Sequence, residues 1–154
     1  MKTTIRKLRN IIREEAKKIV RLKVVQEPKN VSCPLETQDL KANTQNRNEA
    51  IKAEHVQYGP LNLSDESYWK RLAEHWNTSI EVAKQSLCGN CTAFDISPRM
   101  DECMPGNVQD PDGRLGYCWM HKFKCHSARS CYTWAAGGPI TEDRISYSWQ
   151  RKSG

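Results

Sequence analysis

Residues 88–131 read CGNCTAFDISPRMDECMPGNVQDPDGRLGYCWMHKFKCHSARSC, and this stretch holds six of the seven cysteines of the 154-residue chain. They are Cys88, Cys91, Cys103, Cys118, Cys125 and Cys131. Gly89, Pro98, Pro105, Gly106, Pro111, Gly113 and Gly116 punctuate the same segment. No sustained helix or strand period survives such spacing, apart from a helical turn near residues 123–132. Hydrophobic burial alone does not fold a segment of this kind, so a cross-link is required. The opening Cys88-Gly89-Asn90-Cys91 is a knuckle: two thiolates two residues apart can share one metal, and Gly89 allows the tight turn.

The rest of the chain surrounds this segment with little apolar material. Mean hydropathy is −0.77 and 38% of residues are hydrophobic, which argues against a large core. Nine Lys/Arg and two Glu in residues 1–25 give that end a net +7, so the remainder carries −1. The basic character belongs to one end, which weakens a nucleic-acid role for the body and leaves one open for the tail. No stretch reaches membrane-spanning length, and the N-terminus lacks the apolar run of a secretory signal. The expected localisation is therefore cytoplasmic. In a reducing compartment clustered cysteines favour metal over disulfides.

Three regions follow. Residues 1–25 form a basic amphipathic helix, with Ile5, Leu8, Ile12, Ile19 and Leu22 on one stripe and Thr3 or Thr4 as cap. This helix is expected to dock the protein to a larger protein assembly. Residues 26–54 are polar and carry Pro28 and Pro34, as a linker does; Cys33 reads there as an incidental thiol. Residues 55–150 form the cysteine-rich domain. Within it Ser64-Asp65-Glu66 starts one helix through Tyr68, Trp69, Leu72 and Trp76. Thr78 with Glu81 starts a second as a capping box. The expected fold class is small α plus irregular, with a compact, loop-rich, metal-stabilised domain.

Two metals fit the cysteines. Cys88, Cys91, Cys103 and Cys118 supply four thiolates over irregular gaps, as iron–sulfur clusters use, among Phe94, Tyr117, Trp119 and Phe123. Zinc is the alternative, on four cysteines or on three cysteines and one histidine, the latter using His121 from a second knuckle, Cys118-Trp119-Met120-His121. Cys125 and Cys131 are further ligands, a disulfide or redox thiols. No paired carboxylates, Ser/His/Asp set or phosphate loop appears, so no enzyme activity is expected. Asp101-Glu102 and Asp110/Asp112 read as solvated loop charges, and His126 as a surface imidazole or a ligand.

Cys88-x2-Cys91-x11-Cys103-Met104-Pro105-Gly106, followed by Gly116-Tyr117-Cys118-Trp119, resembles the ligand pattern of high-potential iron–sulfur proteins. The resemblance implies one [4Fe–4S] cluster on Cys88, Cys91, Cys103 and Cys118, and one-electron transfer as an alternative function. Tyr58-Gly59-Pro60-Leu61, Tyr68-Trp69, residues 88–95, and Arg129-Ser130-Cys131 with Trp134 and Gly137-Gly138-Pro139-Ile140 look like small cysteine-rich proteins of tailed bacteriophages. Leu8-Arg9-Asn10-Ile11-Ile12-Arg13-Glu14-Glu15 is similar to a leader on marine phage proteins. That likeness implies a virion-associated structural or interaction module.

Overall fold

The computed structural model describes residues 2–26, 32–61 and 64–153, with side chains in the first helix described for residues 4–17. The chain is a small α+β protein in two units, residues 1–32 and 33–154.

The first unit carries α1 (Lys2–Gln26). Ile5, Leu8, Ile11 and Ile12 recur at helical spacing along it, and all four are exposed. The expected continuation of the stripe through Ile19 and Leu22, and the Thr3 cap, lie outside the described side chains.

The second unit begins earlier than the sequence suggests. Residues 33–54, expected to belong to a linker, form α2 (Leu35–Gln38) and α3 (Leu40–Lys52). Asp39 caps α3 by accepting the N–H groups of Lys41 and Ala42. The helix is polar because its amides serve the neighbouring sheet. Asn43 Oδ1 accepts from Lys124 N at 2.7 Å, and Asn46 Nδ2 donates to Lys122 O at 2.7 Å. Only Asn43 and Ala50 of α3 are buried, so its composition reads as linker.

The two expected central helices are present as α4 (Glu66–Trp76) and α5 (Ile80–Gln85). Asp65 caps the first through Tyr68 N, and Ser79, not Thr78, caps the second through Val82 N. Asn77, in the left-handed region at φ 53°, ends α4. Tyr68, Trp69, Leu72, Ala73 and Ala83 bury together between them.

The cysteine-rich segment holds a small antiparallel sheet where irregular chain was expected. After a 3-10 turn (Cys88–Asn90) come β1 (Phe94–Asp95), α6 (Pro98–Cys103), β2 (Gln109–Asp110), β3 (Gly113–Cys118) and β4 (Phe123–His126). Strand β3 pairs with β1, β2 and β4. Three of the four strands have four residues or fewer, too few to display a period of two. The helical turn expected near residues 123–132 is strand β4 and its exit. Helix α7 (Asp143–Ser153) closes the unit on α6, where Arg99 donates to Ser146 and Gln150.

Candidate metal centre

Cys33 and Cys103 form a disulfide. This corrects the reading of Cys33 as an incidental thiol. It also removes Cys103 from the expected cluster set, because a sulfur already bonded to carbon and sulfur offers no thiolate. Cys103 lies at the end of α6, buried with Met100, Met104, Tyr117, Trp119 and Ile140.

The other five cysteines are reduced: Cys88, Cys91, Cys118, Cys125 and Cys131. Cys88, Cys91, Cys125 and Cys131 are buried in one core with Phe94 and Phe123, and Cys118 packs against it. The knuckle is held against the segment leaving β4. Cys88 N donates to Arg129 O at 2.7 Å, and Gly89 N donates to Ser127 O at 3.0 Å. The β3–β4 hairpin brings the second pair. Cys118 stands opposite Phe123, so Cys125, two residues further on, shares its face of the sheet.

Cys125 lies inside this core. Its companions there include Cys88, with Cys118 packed against the same cluster. Burial pushes the Cys125 thiol well above its ordinary range, and the two neighbouring sulfurs add to the effect. Cys118 moves the opposite way. The Cys125 contact lowers it most, burial opposes, and the N–H groups of His121 and Met120 lower it further. Cys118 is thus the first of this pair to hold charge. Burial raises Cys91, against donation from Ala135 and Ala93 N–H groups, and the charges of Cys118 and Cys88 raise it further. Burial pushes Cys131 up to about 12, against Thr133 and with Cys88 and Cys118. Amides aimed at three sulfurs are a feature that thiolates reward and neutral thiols use weakly.

Cys131 is engaged elsewhere. Its Sγ lies 3.2 Å from Thr133 Oγ1, which in turn contacts His121 Nε2 at 2.6 Å. His121 therefore spends a ring nitrogen on a hydroxyl, while its main-chain N–H serves Cys118. Burial, with His55 nearby, lowers its pKa. Among the described residues no three His, Cys, Asp or Glu side chains form a group able to hold a metal ion as they stand.

His126 is buried, not a surface imidazole. Its Nδ1 accepts from Ala128 N at 3.1 Å, which leaves Nε2 to donate to Asp110 Oδ2 at 2.9 Å. Desolvation would raise the Asp110 carboxyl, but the Asp112 N–H, His126 and the Gly113 N–H together hold it below its usual range. Asp110 is therefore a turn organiser, not simply a solvated loop charge. Ser127 follows His126, yet its Oγ accepts from Arg114 N at 3.0 Å. With both ring nitrogens committed, these three residues make a structural lock and not a nucleophile with its base.

Asp95, missed in the sequence reading, organises the other side of the sheet. Its side chain is fully buried and accepts from Ser97 N, Trp119 Nε1 and Ser146 Oγ. Its position beside a knuckle gives no hint of this, since the donors lie up to 51 residues away. Cys125 was more accessible to inference: Cys118 and Cys125 bracket a tight hairpin, and that spacing returns the second thiol beside the first.

No family model, curated protein or solved structure matches this chain.

Proposed function

We propose that residues 33–154 are a structural and interaction module built around a four-cysteine metal centre, with Cys88, Cys91, Cys118 and Cys125 as ligands and zinc as the metal. The observation that carries this reading is the packing of Cys88, Cys91 and Cys125 in one buried core with Cys118 against it. Four sulfurs at about 2.3 Å from one ion are about 3.8 Å apart, a spacing that side chains packed in one small cluster can reach. A [4Fe–4S] cube keeps its ligand sulfurs much further apart, because metal and sulfide lie between them. The disulfide takes Cys103 out of the cluster set, and four sulfurs drawn from one small packed core favour a single ion over the cluster implied by the high-potential pattern.

Cys88, Cys91, Cys118 and Cys125 would hold the ion as thiolates, each giving up its thiol proton to solvent, and the ion would supply a structural cross-link. Cys131, tied to Thr133, stays outside the ligand set. The function proposed is binding and scaffolding: Cys91, Cys125 and Cys131 are raised thiols and so poor nucleophiles at neutral pH, and Cys118, the lowered one, would be spent as a ligand. The likeness to tailed-phage proteins fits a virion or host-cell setting but contributes no chemistry to the argument.

Cobalt substitution tests the reading. Protein purified under reducing conditions, stripped and reloaded with Co(II), should develop the visible bands of tetrahedral thiolate coordination. It should bind one ion per chain and release it to zinc. A brown, iron- and sulfide-containing protein would restore the cluster. No uptake of either metal would refute a metal centre.

A further inference from the structure

The surface of α1 is built like a helix that lies on a bilayer. At 3.6 residues per turn Ile5, Leu8 and Ile12 share one side, with Ile11 at its border. Each is between 52% and 66% exposed. Arg6, Arg13 and Lys17 occupy the opposite side, and Lys7 and Arg9 flank the apolar stripe on its two edges. All five cations are exposed. An aliphatic stripe bordered by cations on both edges can bury its branched side chains among acyl chains while the flanking stems reach up to phosphates.

We propose that α1 binds the surface of an anionic lipid bilayer, lying in its plane. The net +7 of residues 1–25 selects among possible occupants of the stripe. A second copy of the helix would bring two such charges together. A nucleic acid would satisfy the cations but leave four exposed aliphatic side chains in water. An anionic bilayer answers both faces and asks for no shaped groove. No helix of the described residues is long and apolar enough to cross a membrane, so the contact is peripheral. Glu15 falls within the apolar arc between Leu8 and Ile11.

This inference is independent of the metal. The test is co-sedimentation of the full chain with vesicles of phosphatidylcholine, with and without phosphatidylglycerol, at low and high salt. Binding is expected to anionic vesicles alone and to weaken as salt rises. Leu8→Glu with Ile12→Glu should abolish it, and Arg9→Gln, on the edge of the stripe, should weaken it about fivefold. Circular dichroism of the variants on vesicles checks that the helix still forms. Equal binding to neutral vesicles would overturn the proposal. So would retention by the double variant, or a preference for duplex oligonucleotide over vesicles. Absence of vesicle binding at low salt would also overturn it, returning α1 to a protein partner.

Discussion

Trp119 Nε1 donates to Asp95 Oδ2 at 2.8 Å inside the core, and Ser146 of α7 donates to the same oxygen. One buried carboxyl thereby ties the β3–β4 turn to the C-terminal helix, and Arg99 Nη1 extends the network to Ser146 Oγ at 3.0 Å. Asp95→Ala leaves the Trp119 indole and Ser97 N–H groups without their acceptor. A loss of about 3 kcal/mol is expected in urea unfolding. Asp95→Asn, which keeps an acceptor oxygen, should lose less. Equal midpoints for wild type and Asp95→Ala would show that the network adds nothing.

Ligand assignment and disulfide separate cleanly by mutation. Ser at Cys88, Cys91, Cys118 or Cys125 should each prevent uptake of one ion per chain. Ser at Cys103 should leave uptake intact and cost stability. With the joined cysteines 70 positions apart, the loop-closure contribution is about 4 kcal/mol. Metal analysis beside thermal melts of the same variants distinguishes the two effects. Loss of metal from Cys103→Ser at a temperature where it stays folded would return Cys103 to the ligand set.

Gly138 offers a way to disturb the site without touching a sulfur. A Cβ there would stand 1.7 Å from Cys91 O, against the main chain and not a movable side chain. Gly138→Ala must therefore push residues 137–139 away from the knuckle, breaking the bond from Gly138 N to Asn90 O. We expect a loss of about 2 kcal/mol or more and weaker cobalt affinity. Competition with a chelator dye measures the second effect. Unchanged affinity would mean that Cys91 is not needed for coordination.

Asp110 makes a pH prediction. A carboxyl held below its ordinary value stabilises the fold above that value and loses the contribution as pH falls through the folded one. Wild type should be more stable than Asp110→Asn at pH 7. The gap should close as pH drops below about 4, where the unfolded carboxyl also takes a proton. Denaturant midpoints across pH test it, and a gap that is constant with pH would assign the effect to shape and not to charge.

The sequence makes some of this architecture legible. Helices α4 and α5 declare themselves because each buries one face and opens with a capping residue. The sheet does not, because β1 and β2 have two residues each and β3 is broken by Gly113 and Gly116. Helix α3 hides for a different reason: Asn43 and Asn46 act across more than 70 residues on the β3–β4 hairpin, and long-range partners leave no local trace. Among the cysteines, the knuckle is legible from spacing. The choice between Cys103 and Cys125 depends on tertiary proximity, since Cys33 claims the former from a segment that looks like linker.

That same bond gives the chain an uneven covalent topology. Residues 33–103 are a closed ring, and residues 104–154 a tail leaving it. A protease cut anywhere inside the ring severs a peptide bond without parting the molecule, so nicked protein would run as one species until a reductant is added. Two of the proposed ligands, Cys88 and Cys91, belong to the ring and two, Cys118 and Cys125, to the tail. An ion on all four would close a second ring from outside the first, so that one cut anywhere between residues 33 and 125 would leave the molecule in one piece.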